Sequence, residues 1–428
     1  MVGVDDIVIT GAGCISPLGI GALAHEEAAL DGRCAVRNWL TLDDEQRLSY
    51  FAACVDGFEG KKYVTPRKAI KVMSREVQMA YSAARFAWED AAIEEGSVSP
   101  DRLGVVYGSE IIPGDHMDVA GAVASCREGG SFHSKNWGSH FSKEIFPLWM
   151  LKNLPNMPAC HVGIAVDARG PNNTIAQDEV SGLHAIYEAM SILGRGGADV
   201  MIVGAIGNRT TPTRMSYRLR DMHDQTSADS DDLECKCVPF SEESRGIVAS
   251  EGSVAFVLEK RSHAVRRGAR ILGRIASCAS SCAAPKQPYF GSCEAIENAA
   301  RQALIRAELE PEGLNHICAQ GFSEKNLDQE EAAAIASVAK DTPVCAHSSY
   351  FGTAGAASGL LELYTSLLAL NRSKTLPILG HPGAESASRY GIQPLTGTGP
   401  VESTTNWFLK LSATPFGHAA AAVVESFR

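Results

Sequence analysis

Residues 173–186 read Asn-Thr-Ile-Ala-Gln-Asp-Glu-Val-Ser-Gly-Leu-His-Ala-Ile. The first four of them predict a short strand, and the apolar spacing from Ser181 to about Leu193 predicts a helix that follows at once. A buried strand that turns directly into a helix is typical of α/β proteins, in which helices cover the faces of the sheet. The stretch therefore predicts an α/β fold.

The same alternation of short apolar runs and helical patterns continues on both sides of this elbow. In the first part of the chain, strands are predicted at 7–11, 103–108, 199–204 and 253–258, with a helix at about 76–94. From Ala269 onward, strands are predicted at 271–276, 316–319, 343–346, 407–412 and 419–425, with helices at about 294–309, 330–339 and 357–370. The repeated rhythm predicts two similar halves, residues 1–262 and residues 263–428.

Three segments depart from this rhythm. Residues 112–158 are rich in Gly, Ser, His and aromatic residues and are too long for a simple connection, so they predict a cap or an interface. Residues 209–237 contain an acidic burst and predict an exposed loop. The run Gly11-Ala12-Gly13 predicts a turn at the end of the first strand.

The composition is that of an acidic globular protein, because 428 residues carry 50 acidic and 39 basic side chains, for a net charge of −11. A field of this sign disfavours nucleic acid as a partner. The 12 cysteines are too sparse for a disulfide framework, so we expect reduced thiols in a cytoplasmic protein. The acidic N-terminus does not look like a signal peptide, and no apolar run reaches the roughly 18 residues of a transmembrane helix, so we expect no membrane association.

No metal site and no cofactor site are predicted. Cys235 and Cys237 have no second pair of ligands at zinc spacing, and neither have Cys278 and Cys282. The run from Gly11 to Gly13 lacks the third glycine and the acidic partner of a dinucleotide-binding fingerprint. We therefore expect neither a metal nor an organic cofactor.

Four motifs follow one another in an order that is specific in combination. They are the opening strand and turn at 7–19, Arg169-Gly170-Pro171 followed by the elbow, residues 197–204, and the segment 239–252. This order resembles the β-ketoacyl-acyl-carrier-protein synthases, the elongating condensing enzymes of fatty acid and polyketide synthesis, over nearly the whole chain. The resemblance implies a thiolase-like fold of two similar halves in five layers (α-β-α-β-α), a dimer, and acyl carrier protein as a partner.

In this family a cysteine at the elbow takes the acyl chain as a thioester, and two histidines help to decarboxylate the malonyl unit and steady the enolate. The resemblance assigns these three positions to Glu179, Gln320 and Thr353. A carboxylate cannot hold an acyl chain as a stable thioester, and neither an amide nor a hydroxyl moves protons near pH 7 as an imidazole does. We therefore expect no condensation by the family's mechanism.

Glu179 is open to two interpretations. A carboxylate at a helix N-terminus is favourable by about 0.3–1 kcal/mol and could simply fill the vacated pocket. It could also be a general base or a mimic of a malonyl carboxylate, and His418 could then pair with it, because the family's C-terminal loop faces the elbow. In that loop Phe416-Gly417 match the family's acyl pocket and oxyanion hole. His347 could supply a basic group, since Ser348 beside it stands where the family has a lysine.

A basic segment between residues 61 and 75 stands out from the acidic chain. If a helix begins at Pro66, then Arg67, Lys71 and Arg75 lie on one face, with Lys68 beside them. This face could be merely solvated. It could also be a dock for an acidic protein, which the resemblance identifies as acyl carrier protein.

Three functions are open. The first is a chain-length-factor-like subunit that does not condense but pairs with an active ketosynthase, with Trp137, Phe141, Phe146 and Trp149 at the interface. The second is an enzyme with a replaced mechanism, in which Glu179 acts as acid or base on an acyl thioester. The third is an ordinary β-ketoacyl synthase, if the alignment of the motifs is shifted. Whether the dimer forms with a second copy or with a different chain is also open.

Overall fold

The fold was taken from a computed structural model of the chain. It describes residues 5–41, 49–112, 114, 116–211, 213–214, 226–227, 237–383 and 389–427. Most of the predicted loop at 209–237 therefore lies outside the described residues, and so does Cys235.

Five strands of the first half form one part of a continuous sheet. They are β1 (Ile7–Ser16), β2 (Leu103–Gly108), β3 (Asn172–Ile175), β4 (Val200–Asn208) and β5 (Ala249–Lys260). Their order is β3-β2-β4-β5-β1. The pairs formed by β5 with β1 and with β4 are antiparallel, whereas β2 pairs in parallel with β4 and with β3.

Five strands of the second half repeat this arrangement. They are β6 (Gly273–Cys282), β7 (His316–Cys318), β8 (Pro343–Cys345), β9 (Trp407–Ala413) and β10 (His418–Ser426). Their order is β8-β7-β9-β10-β6, and each pair has the same direction as its counterpart in the first half. Antiparallel pairing of β1 with β6, in which Ile7 lies opposite Ile275, joins the two parts.

Six principal helices complete the architecture. They are α1 (Arg75–Asp90), α2 (Met157–Ala165), α3 (Ser181–Gly194), α4 (Cys293–Ala307), α5 (Lys325–Ala339) and α6 (Ser358–Asn371). Helices α1 and α2 cover one outer face, α4 and α5 cover the other, and α3 and α6 lie between the two parts of the sheet. The α-β-α-β-α layering expected from the resemblance is thus confirmed.

The burial pattern of each helix matches its layer. In α6, which belongs to the middle layer, the side chains from Ser358 to Leu367 are buried on all sides. In α4, which belongs to an outer layer, Ala295, Ala299 and Ala303 are buried while Arg301 and Ile305 face solvent. A helix that is buried all round has two apolar neighbours, whereas an amphipathic one has a single covered face.

The glycines at positions 11 and 13 do not form the predicted turn, because β1 runs through both of them to Ser16. A Cβ on Gly11 would lie 2.3 Å from the carbonyl oxygen of Ala87, and a Cβ on Gly13 would lie 2.4 Å from that of Ala83. Both carbonyls belong to α1. The glycines therefore let a helix pack closely against the strand.

Shorter elements fill the connections. Helices span Ala22–Leu30, Met117–Ser125, Trp137–Glu144, Arg261–Arg266 and Ser348–Phe351. Short strands span Gly19–Ile20, Arg37–Thr41, Ser49–Ala53, Arg127–Glu128, Ser131–Phe132, Thr226–Ser227, Lys374–Thr375, Gln393–Pro394 and Val401–Glu402. Within the described ranges, no helix is both long enough and apolar enough to cross a bilayer.

Candidate functional site

The elbow between β3 and α3 is a sharp turn that buries Glu179 completely. Residues Asp178–Val180 form a single 3₁₀ turn, and Asp178 adopts a left-handed conformation with φ of 50°. The Ser181 hydroxyl donates to the Asp178 carbonyl at 2.7 Å and accepts from the Gln177 amide at 2.8 Å. These bonds hold the elbow, so that the Glu179 side chain points inward with 0% exposure.

The carboxylate of Glu179 is bound by Arg209, a side chain that is itself only 1% exposed. Nη1 of Arg209 donates to Oε1 of Glu179. On its other side the same guanidinium donates to Oε1 of Glu110, from Nη2 at 2.9 Å and from Nε at 3.1 Å. Asp178 lies 3.7 Å from Nη2, and Arg214 contacts Glu110 at 3.3 Å. We call Glu110, Arg209 and Glu179 the elbow triad.

The charges of the elbow triad stabilise one another. Burial by itself acts to lower the pKa of Arg209, but the carboxylates of Glu179, Glu110 and Asp178 outweigh it and raise that pKa. The guanidinium is therefore permanently charged. A buried ion pair is costly to break, since removing one partner leaves an uncompensated charge away from water.

The sequence analysis did not identify Glu110 or Arg209. Both follow the carboxyl ends of strands, Glu110 after β2 and Arg209 after β4, and these strands lie parallel to β3, which leads to Glu179. Carboxyl ends of parallel strands meet at one edge of a sheet, where α/β proteins form their sites. Charged residues shortly after the predicted strands 103–108 and 199–204 were a signal, although Arg209 follows directly only on the observed strand, which continues to Asn208.

The two positions assigned to the family's histidines are buried. Gln320 follows β7 with 0% exposure, and its backbone amide donates to the Glu331 carboxylate at 2.7 Å. Neither polar atom of its side-chain amide has a hydrogen-bond partner within the described part of the chain. Thr353 is held by backbone bonds to Val248 and Ser250, and its hydroxyl also has no partner among the described residues.

A second buried ion pair lies in the same interior. Lys410 of β9 donates to Glu362 of α6 at 2.5 Å, and neither side chain reaches solvent. Lys410 also donates to the carbonyl oxygen of Ala319 at 3.1 Å. Burial raises the pKa of Glu362 to about 7, although Lys410 acts to lower it, and the negative charges of Glu331 and Glu179 add to the rise.

Within the described residues, His418 makes no hydrogen bond to Glu179. The Glu179 carboxylate is paired with Arg209 instead. His418 begins β10 and lies near His184 of α3, whose pKa is lowered by burial and then by His418. His347 is hydrogen-bonded to Ser366 at 2.8 Å, and burial lowers its pKa well below the usual range. His347 is therefore a neutral packing residue.

The loop that contains Phe416 lies at the surface. The Phe416 ring is 51% exposed and packs edge-on against Tyr289, with ring centroids 5.5 Å apart. Gly417 has a positive φ of 88°, and its carbonyl accepts from the Ala283 amide at 3.0 Å. Phe416 thus lies at the surface, and among the described contacts it packs against Tyr289 and not against Glu179.

The basic segment does not form the predicted continuous helix. Arg67–Val72 is a 3₁₀ helix, Met73 is extended, and α1 begins only at Arg75 after the cap residue Ser74. Helix α1 begins after Ser74 and not at Pro66, because the Ser74 hydroxyl caps the helix N-terminus by accepting a hydrogen bond from the Val77 amide.

The six cations of this segment therefore face different surroundings. Arg75 pairs with the buried Glu251 at 2.8 Å, while its own side chain stays 41% exposed. Lys61 and Lys62 both pair with Glu59, each at 2.7 Å. Within the described residues, Arg67, Lys68 and Lys71 have no such acidic partner. We call these three residues the free basic turn.

Comparison with known proteins identifies the family. The family model described as "Beta-ketoacyl synthase, N-terminal domain" matches residues 4–264. The one described as "Beta-ketoacyl synthase, C-terminal domain" matches residues 272–381. The chain belongs to the β-ketoacyl synthase family. The resemblance on which the three catalytic positions were assigned is thereby confirmed at the level of the family.

Several β-ketoacyl synthases are similar to this chain over most of their length. The 3-oxoacyl-(acyl-carrier-protein) synthase 2 of Staphylococcus aureus is 28% identical over 382 residues, which cover 87% of each chain. An actinorhodin polyketide putative beta-ketoacyl synthase 1 of Streptomyces coelicolor is also 28% identical, over 87% of this chain and 78% of its own.

A solved structure confirms the fold. The ishigamide ketosynthase/chain length factor aligns over 100% of both chains with a TM-score of 0.83 and 22% identity. The present chain therefore combines a β-ketoacyl synthase fold with an elbow at which the Glu179 carboxylate is bound by Arg209.

Proposed function

We propose that this chain is a non-condensing, chain-length-factor-like subunit of fatty acid or polyketide synthesis, and that it pairs with an active ketosynthase acting on carrier-bound acyl chains. The observation that carries the proposal is the buried ion pair between Glu179 and Arg209. The elbow residue has no thiol, and its carboxylate is held by a guanidinium that Glu110 fixes from the other side. An acyl group finds no nucleophile there.

The surrounding residues support the same reading. Decarboxylation and enolate formation need groups that exchange protons near neutral pH. At the two corresponding positions the chain has the amide of Gln320 and the hydroxyl of Thr353, which do not titrate in that range. The nearby imidazole of His347 is kept neutral by burial, as the lowering of its pKa indicates.

An exposed apolar surface supports pairing with another subunit. Phe146, Leu148 and Met150 in the 112–158 segment are 46%, 50% and 53% exposed, and Ile164 on α2 is 76% exposed. Helix α2 packs against β3, which is the edge strand of the described sheet, so one side of its backbone is open to pairing. The solved structure named above, to which this chain is similar in fold, is itself a ketosynthase/chain length factor. We assign this surface to the ketosynthase partner.

The free basic turn supports a role with acyl carrier protein. Arg67, Lys68 and Lys71 are exposed or half-buried, and they follow one another on a single 3₁₀ helix. Three cations that have no acidic partner among the described residues, on a chain of net charge −11, form a local site for an acidic partner. Arg75 is excluded from this dock, since its guanidinium is engaged by Glu251.

The experiment is affinity purification of the tagged chain from cells that produce it, followed by native mass measurement and acylation. We expect a heterodimer with a ketosynthase that has a cysteine at its own elbow. After incubation with an acylated carrier protein, intact mass should detect the acyl adduct on the partner subunit and none on this chain. The partner provides the positive control within the same sample.

Two results would contradict the proposal. A covalent acyl adduct on the wild-type chain would mean that it has a nucleophile we have not recognised. A stable homodimer that turns over malonyl-carrier protein without any second subunit would mean that it is an enzyme in its own right.

The runner-up function is an enzyme that uses Glu179 as acid or base. One observation favours it, because Oε2 of Glu179 has no hydrogen-bond partner within the described residues. The Glu179→Gln variant separates the two functions, since it keeps the shape of the side chain but cannot exchange a proton. Hydrolysis or decarboxylation of an acyl thioester by the wild type that is lost in this variant would favour the enzyme.

A further inference from the structure

A carboxylate is held beside the open edge of the sheet. The edge strand β3 is flanked by α2 and α3, and its side chains alternate between them. Asn172 donates to the carbonyl oxygen of Ala159 in α2 at 3.4 Å. Asn173 faces α3, where its side-chain amide donates to both carboxylate oxygens of Glu188, at 3.0 and 2.9 Å. The edge strand itself thus fixes the position of Glu188.

The charge of Glu188 is not balanced by a cation. Within the described part of the chain no lysine or arginine forms an ion pair with it, and the amide of Asn173 is neutral. The Glu188 side chain is half-buried, while Ile164 on α2 and Tyr187 on α3 are 76% and 43% exposed. A chain that pairs with β3 would take water away from this carboxylate, which is costly unless a cation replaces the water.

A second copy of this chain has no such cation in the elements that form the edge. Strand β3 and helices α2 and α3 together contain no lysine and no arginine. Pairing of an edge with its own copy is isologous, so the same three elements face one another whatever the register. A homodimer through this edge would therefore cover two copies of Glu188 and provide a cation for neither.

Three arginines adjoin these elements, and each is directed elsewhere. Arg169, which precedes β3, is bound by Asp167 of the same chain at 2.9 and 3.0 Å. Arg306 of α4 lies over the ring of Tyr187 and donates to a backbone carbonyl of β6 at 2.7 Å. Arg195 follows the end of α3, about 10 Å along the helix from the glutamate. Antiparallel pairing with a copy places the copy's Arg195 beyond the opposite end of the edge.

Resting on the proposed function, we propose that Glu188 selects a different chain as the partner at this edge, and that the ketosynthase has a lysine or arginine opposite it. Residues that face each other on adjacent strands have Cα atoms about 4.5–5.5 Å apart, so a long cationic side chain on the partner's edge reaches the carboxylate. The same charge disfavours the copy and favours the partner, as in interfaces that combine attraction with repulsion of the wrong chain.

The test is the Glu188→Gln variant, which removes the charge and keeps an oxygen that accepts from Asn173. We expect opposite effects on two complexes of the full-length chain. The heterodimer with the co-purified ketosynthase should weaken about tenfold, because the partner's cation loses its carboxylate. Self-association of the chain alone should strengthen about tenfold, because the two uncompensated charges are gone. Sedimentation equilibrium measures both dissociation constants.

The opposite directions distinguish this role from a general effect on folding, which would weaken both complexes alike. Glu27 is exposed on the helix Ala22–Leu30, outside the three elements of the edge, and serves as the matched control. Glu27→Gln makes the same change of charge and should alter neither constant. The inference is wrong if Glu188→Gln weakens both complexes or changes neither. A wild-type homodimer as tight as the heterodimer would also overturn it.

Failure of this inference and failure of the proposed function are distinguishable. A heterodimer that forms and leaves this chain unacylated, but does not respond to Glu188→Gln, contradicts only the selection by Glu188. Opposite shifts of the two constants in a chain that is itself acylated contradict only the proposed function.

Discussion

At the scale of single residues, the carboxylate of Glu179, at the predicted nucleophile position, is accompanied by other charges. Arg209 pairs with Glu179, and Glu110 and Arg214 extend the network on the other side of the guanidinium. A lone buried carboxylate would be strongly unfavourable, whereas a paired one is tolerated. Position 179 therefore has to be interpreted together with Arg209.

Removing the guanidinium tests this dependence. The Arg209→Ala variant should lose about 3–5 kcal/mol of unfolding free energy, because the carboxylates of Glu179 and Glu110 then stay buried without a cation. Denaturant unfolding monitored by circular dichroism measures the loss. The double variant Glu179→Ala/Arg209→Ala should lose much less than the sum of the two single variants. Additive losses would mean that the two side chains do not depend on each other.

A second residue-scale prediction concerns pH and Glu362. Its pKa is about 7 in the folded protein and near the ordinary 4.5 in the unfolded chain. The folded state thus keeps a proton that the unfolded state loses, so the stability due to this group is fully present below about pH 4.5. It is lost as the pH rises through 7, and by linkage the loss is at most about 3 kcal/mol.

The Glu362→Gln variant has no carboxyl at this position to titrate. Between pH 5 and 7 its unfolding free energy should therefore fall less than that of the wild type. Denaturant melts at pH 5, 6 and 7 compare the two slopes. Identical slopes would mean that Glu362 titrates alike in both states.

At the scale of elements, the elbow helix α3 determines how closely the two halves approach. A Cβ on Gly182 would lie 2.7 Å from Cγ of Leu360 and 3.1 Å from the carbonyl oxygen of Ala356, both in the facing half. The contact leaves no space for a methyl group. The start of α3, and Glu179 directly before it, are positioned by packing between the halves.

Two glycines of the same helix form a matched test of this packing. Gly182→Ala should cost about 1–3 kcal/mol, because Leu360 and the 355–357 turn must move. Gly194→Ala at the other end of α3 meets nothing within 4 Å and should be neutral or stabilising by up to about 1 kcal/mol. Thermal or denaturant unfolding compares them. Equal effects would contradict the close contact.

At the scale of the whole molecule, charge is distributed unevenly. The net charge of −11 repels an acidic carrier protein in general, so attraction has to come from a local group of cations. The free basic turn is such a group, because its three cations are not neutralised by acidic neighbours in the described part of the chain. Lys61 and Lys62 lie close in sequence but share the carboxylate of Glu59, which cancels one of their two charges.

Charge reversal distinguishes the two groups of lysines. Lys68→Glu/Lys71→Glu should weaken binding of acyl carrier protein about tenfold and reduce its dependence on salt. Lys61→Glu/Lys62→Glu, with the same change of charge, should have a clearly smaller effect. Affinities at low and at physiological ionic strength measure both. Equal losses would indicate a general field effect and not a dock at Lys68 and Lys71.

The amino-acid sequence by itself determined the fold, and it predicted that the family's three catalytic residues are replaced. Apolar periodicity located the principal strands and helices, as with Leu103–Gly108 and Ser181–Gly194, because burial in layers imposes that period on the chain. Motif order identified the family, and the absence of a cysteine at position 179 follows directly from the residues. None of these conclusions requires knowledge of distant contacts.

Only the tertiary structure decided what stands around Glu179. Arg209 and Glu110 lie 30 and 69 positions away along the chain, and they meet Glu179 because parallel strands end at one edge of the sheet. The same holds for the division of the basic segment, in which Arg75 pairs with Glu251 of a remote strand. Charge pairing of this kind depends on which strand ends lie side by side, and local periodicity does not carry that information.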